Sequence, residues 1–320
     1  MLKKYFSKEN ICWIIFAAVI FTLITFLMNV GVIGSYYQIT LDNICINVIL
    51  AVSLNLIIGV CGQFSLGHAG FMCIGAYSAA IVVRSMSNLL GFALGVGIGI
   101  VISTIAALIV SIPTLRLRGD YLAIATLGFS EIIRIIVLNL KITNGAAGLS
   151  GIAKLTTWPL LFVLMVASIV IVTNFSRSRQ GRACISIRED EIASEAMGIN
   201  TTRYKTTAFV IGAALASVAG ALYACNFYVI KPDLFTFNKS IDILVMVVFG
   251  GMGSMTGSVI AAAFIGVLNM LLQNFSSIRM VIYGVVLVAI MIFRPGGLLG
   301  TKEFTFSALL HRKRKEKGRK

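Results

Sequence analysis

Long apolar runs separated by short polar ones fill this chain from about residue 11 to residue 294. A helix needs roughly 20 mostly apolar residues to cross the hydrocarbon core of a bilayer. Runs near that length lie at 11–31, 40–60, 66–84, 89–114, 121–140, 158–175, 207–229, 241–257, 258–273 and 279–294. The pattern predicts an all-α fold, a polytopic transmembrane bundle of about eight to ten spans, some of them broken. The weakest run is 241–257, whose uninterrupted apolar part, Ile243 to Phe249, is too short to cross alone. The first run follows Lys3, Lys4 and Lys8, as a signal peptide would. It is longer than an h-region, has no A-x-A site behind it and precedes further spans, so a retained span is expected.

Composition supports this. Charged residues make up 12% of the 320 and hydrophobic residues 58%, whereas a soluble chain carries about 25% charged residues. No polar stretch reaches the roughly 50 residues of a small soluble domain. The expected organisation is a short N-terminus over 1–10, a membrane domain over 11–300 with one long polar connection at 176–206, and a basic tail over 301–320. Net charge is +15. Its placement excludes nucleic acid as the explanation. Basic residues gather at the N-terminus, at Arg116 and Arg118, in the 176–206 connection and in the tail, while the alternate connections hold few. That is the positive-inside pattern, and it puts both termini and the long connection in the cytoplasm. The tail HRKRKEKGRK reads as an anchor beside anionic lipid. The six cysteines show no CxxC and lie mostly in apolar runs, as small core fillers do. With two histidines and no HExxH, no metal site and no enzyme activity are expected.

Two places interrupt apolar runs with glycine and polar residues. One is Gly62-Gln63-Phe64-Ser65-Leu66-Gly67-His68-Ala69-Gly70; the other is Gly250-Gly251-Met252-Gly253-Ser254-Met255-Thr256-Gly257. Irregular backbone at membrane depth survives only inside protein or against a wet cavity. Gly-interrupted segments in corresponding parts of two halves point to a transport pathway. Candidate pathway residues are therefore Gly62, Gln63, Ser65, Gly67 and His68 in the first break, and Gly251, Gly253 and Ser254 in the second. Close helix packing through small residues is the competing explanation for the glycines, and a structural hydrogen bond the competing one for His68. Glu131 and Arg134 are three apart within the 121–140 run, on one helix face. Counting about 1.5 Å per residue puts Glu131 near mid-membrane. Such a pair marks either a pathway or a structural ion pair between helices.

The polar connection reads SRSRQGRACISIREDEIASEAMGI from Ser176 to Ile199. Ser186 and Glu189 fit a capping box, and Gly198 fits a helix terminator. A helix of about three turns is expected between them, with Ile192, Ala193, Ala196 and Met197 on one face. Its apolar face needs a partner, and the mixed charge around it favours protein over anionic lipid.

These residues carry a resemblance. Glu195-Ala196-Met197-Gly198-Ile199, with Arg188 and Asp190 upstream, resembles the EAA-type coupling loop of ABC importer permeases. GQFSLGHA over Gly62–Ala69 looks like the signature of branched-chain amino acid permeases, M-type subunit. LRLRGDYLAIATLGFSE from Leu115 to Glu131 is similar too, as are Thr143-Asn144-Gly145 with Gly148-Leu149, Gly250–Ser254, and Arg294-Pro295-Gly296-Gly297-Leu298. The H-type paralogue has an NFAHGD-like segment where the first motif stands here. Thr256 departs from the family, which often has Trp there.

The resemblance implies a permease that hydrolyses nothing itself, and the chain has no GxxxxGK[ST] to cradle phosphates. Two cytoplasmic ABC ATPase subunits would bind the ATP, so no cofactor is expected on this chain. Coupling to them is expected of Arg188, Glu189, Asp190, Ile192, Glu195, Ala196, Met197 and Gly198, and a Glu195→Lys change is expected to uncouple hydrolysis from transport. The implied partners are an H-type permease, the two ATPases and an extracytoplasmic substrate-binding protein, in a bacterial plasma membrane. Leucine, isoleucine and valine are the substrates of such relatives; urea or short amides are those of others. A self-sufficient secondary transporter is the alternative. It predicts a membrane-depth carboxylate, which Glu131 supplies, and no docking loop.

Overall fold

A computed structural model describes residues 8–31, 33–114 and 119–272, with positions 281, 284, 285, 297, 298 and 300 beyond them. All but three positions of the expected span at 279–294, the basic tail, and Arg116 and Arg118 lie outside the described residues. Apolar runs became helices almost throughout. In chain order they are α1 (Lys8–Asn29), α2 (Ser35–Asn55, continued by a π-helical turn Leu56–Val60), α3 (His68–Ser85), α4 (Leu89–Thr114) and α5 (Asp120–Asn139). There follow α6 (Trp158–Arg177), α7 (Arg179–Glu189), α8 (Glu191–Ala196), α9 (Thr201–Asn226), α10 (Phe237–Gly250) and α11 (Met255–Leu271). Among the described residues, five helices are long and apolar enough to cross a membrane: α2 with its π turn, α4, α5, α6 and α9. The protein is a multi-pass membrane protein.

Packing sorts these helices into centre and rim. The membrane-length windows of α2 and α9 are 89% and 78% buried, against 28% for α4, 33% for α5 and 28% for α6. Helix α9 is the axis, packed by α3, α4 and α2, while α11 lies on α2 and α10 on α11. Small residues permit the closest crossing. A Cβ on Gly75 of α3 would stand 1.9 Å from the Ser217 carbonyl oxygen of α9, and one on Gly220 of α9 would stand 1.9 Å from the Met72 carbonyl oxygen of α3. Two backbones in contact gain dispersion where no hydrophobic drive separates helix from lipid. Ala213, Ala216 and Ala224 of α9 are fully buried too, and the Ala213 carbonyl accepts from Ser103 Oγ of α4 at 2.9 Å.

Two connections meet at one end of the bundle. The strand Leu149–Ser150 (β1), between α5 and α6, pairs antiparallel with Val229–Ile230 (β2), between α9 and α10. The motif residues Thr143, Asn144, Gly145 and Gly148 shape this corner. Asn144 takes a left-handed φ of 60° and donates Nδ2 to the Gly148 carbonyl at 3.1 Å. Thr143 Oγ1 donates to the Val137 and Leu140 carbonyls, closing the end of α5.

Two expectations are corrected. The helix over 186–198 is split at Asp190, which N-caps α8 by accepting from Ala193 N at 3.0 Å. Ser186 does not cap; its hydroxyl meets that of Ser194 at 2.8 Å, and Ser178 caps α7 instead. The reason is geometric, since Asp190 sits in extended conformation and turns the chain. Second, the span placed at 207–229 begins six positions earlier, at Thr201. Asn200 caps it through Arg203 N, and Lys205 is buried against Glu191 at 2.5 Å, so a charge that looked like loop sits inside a helix.

Candidate functional site

The site is built from helices that stop. Helix α2 widens into its π turn and ends at Cys61, and Gly62 takes φ +71°. From there the chain runs without helix until His68. Within membrane-spanning protein these freed backbone groups need partners, and neighbouring helices supply several. Leu66 N donates to Thr126 Oγ1 of α5 at 3.0 Å, and Ala69 N to Ser240 Oγ of α10 at 3.2 Å. His68 Nε2 pairs with Ser53 Oγ of α2 at 2.7 Å. Gly67 exists for contact, because a Cβ there would stand 2.5 Å from the Thr126 carbonyl oxygen. Gln63 and Ser65 are buried beside it. The Gln63 amide forms no hydrogen bond with any described residue, although it is only 2% exposed.

The second break is a turn between two short helices. Helix α10 has 14 residues and stops at Gly250. Gly251 and Gly253 take φ of 109° and 97°, which a side chain rarely adopts. Ser254 then caps α11, accepting from Gly257 N at 3.1 Å. The runs expected at 241–257 and 258–273 are therefore the two arms of a hairpin, α10 and α11, turned at Gly251–Ser254. Thr256, the departure from the family pattern, places its hydroxyl 3.3 Å from that of Ser254. Beyond the hairpin, Leu298 N returns to the Phe249 carbonyl at 2.9 Å.

The two breaks meet. Asn55, on the last turn of α2, donates Nδ2 to the Ser254 carbonyl at 2.9 Å and accepts from Gly253 N at 2.9 Å. Gly59 allows the approach, since a Cβ there would stand 2.3 Å from Gly253 N. Sequence reasoning singled out both glycine clusters but not Asn55 or Gly59. Asn55 was a weak signal, one carboxamide inside an apolar run.

Arg188, in the last turn of α7, lies over this junction. Its Nη1 donates to the Gly59 carbonyl at 2.5 Å, while Nε and Nη2 donate to Glu189 Oε1 at 3.1 and 2.5 Å. Gly62 and Gly253 face the same side chain: Cβ atoms there would stand 2.8 Å from Arg188 Cγ and 3.0 Å from Nη1. The α7–α8 connection is thus in contact with both breaks.

The rest of that connection is braced from within. Glu195 accepts from Thr201 Oγ1 at 2.8 Å. Gly198, at φ +81°, closes α8 while Ile199 N reaches back to the Ser194 carbonyl at 3.1 Å. Bracing leaves the apolar face bare: Ile192 is 68% and Met197 82% exposed, and Ala196 is exposed between them. Two such side chains on a helix capped at both ends form a rigid knob.

Glu131 and Arg134 form an ion pair on α5. Arg134 Nε donates to Glu131 Oε2 at 2.7 Å, and its Nη1 is 4.0 Å from Asp233 Oδ1 in the connection between α9 and α10. The pair stands beside the end of the first break, where a Cβ on Gly70 would lie 2.9 Å from Ser130 Cα and 3.2 Å from Ile133 Cδ1, and it reaches from there toward the β1–β2 end. Among the described residues no three His, Cys, Asp or Glu side chains gather as metal ligands would.

A many-helix bundle with broken spans and a braced polar connection is the architecture of a membrane permease, and comparison with known proteins makes the class specific. Residues 36–293 match the family model described as branched-chain amino acid transport system / permease component. The chain is 37% identical over 289 residues to the high-affinity branched-chain amino acid transport system permease protein LivM of Salmonella typhimurium, covering 79% of this chain and 68% of that one. It is 27% identical to BraD of Pseudomonas aeruginosa over 308 residues, covering 87% and 95%. It is 34% identical to LivH of Salmonella typhimurium over 148 residues, covering 46% and 47%. The chain belongs to the branched-chain amino acid transport system permease family.

Proposed function

We propose that this chain is the M-type permease subunit of an ATP-driven importer of branched-chain amino acids. One observation carries the coupling part: the α7–α8 connection bears the exposed knob Ile192–Met197 on one side and holds both helix breaks through Arg188 on the other. A knob of that kind suits a groove on a cytoplasmic ATPase subunit. The substrate follows the relatives, named as high-affinity branched-chain amino acid transport permeases. An H-type permease completes the translocating pair, two ATPases bind the ATP, and a binding protein delivers substrate from outside. In this reading both termini and the 176–206 connection are cytoplasmic. The pathway runs past Gly62, Gln63, Ser65, Gly67 and His68 and past Gly251, Gly253 and Ser254.

Glu195 has a double role in this scheme, because its carboxylate is part of the brace to Thr201. Glu195→Lys would disturb that corner as well as the docking face, so Ile192 and Met197 are the better probes. The experiment is purification of the tagged chain in mild detergent, with identification of what accompanies it. An H-type paralogue and Walker-motif ATPases are expected with the wild-type chain. Ile192→Glu with Met197→Glu is expected to lose the ATPases and keep the paralogue. Wild-type chain recovered alone, and active in leucine uptake by itself, would reject the importer. It would turn attention to Glu131 as the coupling carboxylate of a secondary transporter.

A further inference from the structure

Three features converge on the Arg188 side chain. It donates to the Gly59 carbonyl, and Gly62 and Gly253, one from each break, lie against its stem and its tip. Gly59 belongs to the π turn that ends α2. The last carbonyls of a helix lack intrahelical donors and carry the negative end of its dipole. Arg188 thus caps a membrane helix from outside, using a cation from a different element. Glu189 holds the same guanidinium at Nε and Nη2, which fixes the plane of the fork. Asn55 then fastens the capped end to the turn of the second break.

We infer that Arg188 is the positioning residue that carries movement of the α7–α8 connection into both helix breaks, acting on Gly59 directly and on the Gly251–Gly253 turn through Asn55. The inference rests on the importer reading. The lever is short, because Asp190, which caps α8, is two positions from Arg188. Pressure on the Ile192–Met197 knob turns α8, α8 turns the last turn of α7, and the fork moves with it. Because Gly62 and Gly253 have no side chains, the Arg188 stem and guanidinium work on backbone itself. A lysine would keep the charge but offer a point donor on a flexible stem, without the fork.

The test uses the whole complex: this chain, its paralogue and the ATPases, in liposomes with the binding protein and radiolabelled leucine. Two quantities are read: leucine moved per ATP consumed, and nitroxide distances from Ile105 on α4 to Ile185 on α7, exposed and outside the knob, and to Met252, each replaced by cysteine. In the wild-type complex, ATP with vanadate is expected to change both distances. In Arg188→Ala the Ile185 distance is expected to change while the Met252 distance stays, and leucine per ATP falls at least tenfold. Arg188→Lys is expected to fall between, and it carries the test if Arg188→Ala does not assemble. An assembled variant whose Met252 distance responds as in wild type, with leucine per ATP unaltered, overturns the inference and leaves the importer intact. A wild-type complex that recruits no ATPase overturns the importer reading first.

Discussion

Gly253 and Asn55 are 198 positions apart and share a hydrogen bond, from the Gly253 N–H to Asn55 Oδ1 at 2.9 Å. The same amide donates to the Ser254 carbonyl at 2.9 Å. A carboxamide offers an acceptor and a donor on one planar group. Asn55 is fully buried, so both groups of the turn are satisfied away from water by one side chain.

Asn55→Leu should therefore destabilise the bundle. It keeps a similar branched outline but leaves a backbone N–H and a carbonyl buried without these partners, at about 1–3 kcal/mol each. The thermal midpoint of the detergent-solubilised protein, followed by size-exclusion chromatography after heating, is expected to drop by several degrees. An unaltered midpoint would mean that the two breaks are held together by other contacts.

The α3–α9 crossing makes a different prediction from backbone contact alone. Gly220→Ala puts a methyl group into the Met72 carbonyl and forces the two helices apart. Gly97 of α4 has nothing within 4 Å of such a methyl. There alanine should be neutral or stabilising by roughly 0.5–1 kcal/mol, through better helix propensity. Folded yield is expected to collapse for Gly220→Ala and to hold for Gly97→Ala. Equal yields would contradict the close crossing.

Lys205 and Glu191 are ion-paired where α9 begins, with Lys205 the more buried partner. Removing Glu191 strands a buried cation, whereas removing Lys205 leaves a carboxylate that still reaches water. Glu191→Gln should thus cost more stability than Lys205→Met. A double-mutant cycle should return a coupling of about 0.5–3 kcal/mol. Additive effects in the cycle would show that the pair contributes nothing as a pair.

Much of this was legible in the sequence. Span α4 runs over 89–114 as expected because polar residues bound its apolar run on both sides. The glycine clusters announced both breaks, since few other sequences interrupt an apolar run that way. Misreadings came where a local rule had two solutions. Ser186 and Glu189 have capping-box spacing, but Asp190 offered a cap at a place where the chain already had to turn. Lys205 looked like loop because its partner, Glu191, is 14 positions away and comes near only through the fold. The meeting of the breaks was not legible at all. It depends on Asn55, a single polar residue in an apolar run, and on a contact across 198 positions that one sequence does not encode locally.

A chemical cross-link can replace the Arg188 contact, and this gives the last prediction. Cys61 and Cys184 neighbour each other where the π turn meets α7; both are buried and free, and the Cys184 thiol donates to the Tyr204 carbonyl at 3.6 Å. Cys61 stands between the π turn and Gly62; Cys184 is in the middle of α7. A membrane-permeant oxidant such as copper phenanthroline with oxygen would take two electrons as the thiols lose two protons, leaving a disulfide between α7 and the first break. If Arg188 makes these elements move as one body, the bond adds a second tie between parts that already travel together. Wild-type leucine per ATP should then survive oxidation nearly unaltered. In Arg188→Ala the disulfide should restore part of the lost ratio, and a thiol reductant should remove the gain. If α7 instead slides against the break during transport, oxidation will stop wild-type uptake and rescue nothing. Cys61→Ser run in parallel assigns the effect to this pair, because the remaining cysteines stay available to the oxidant.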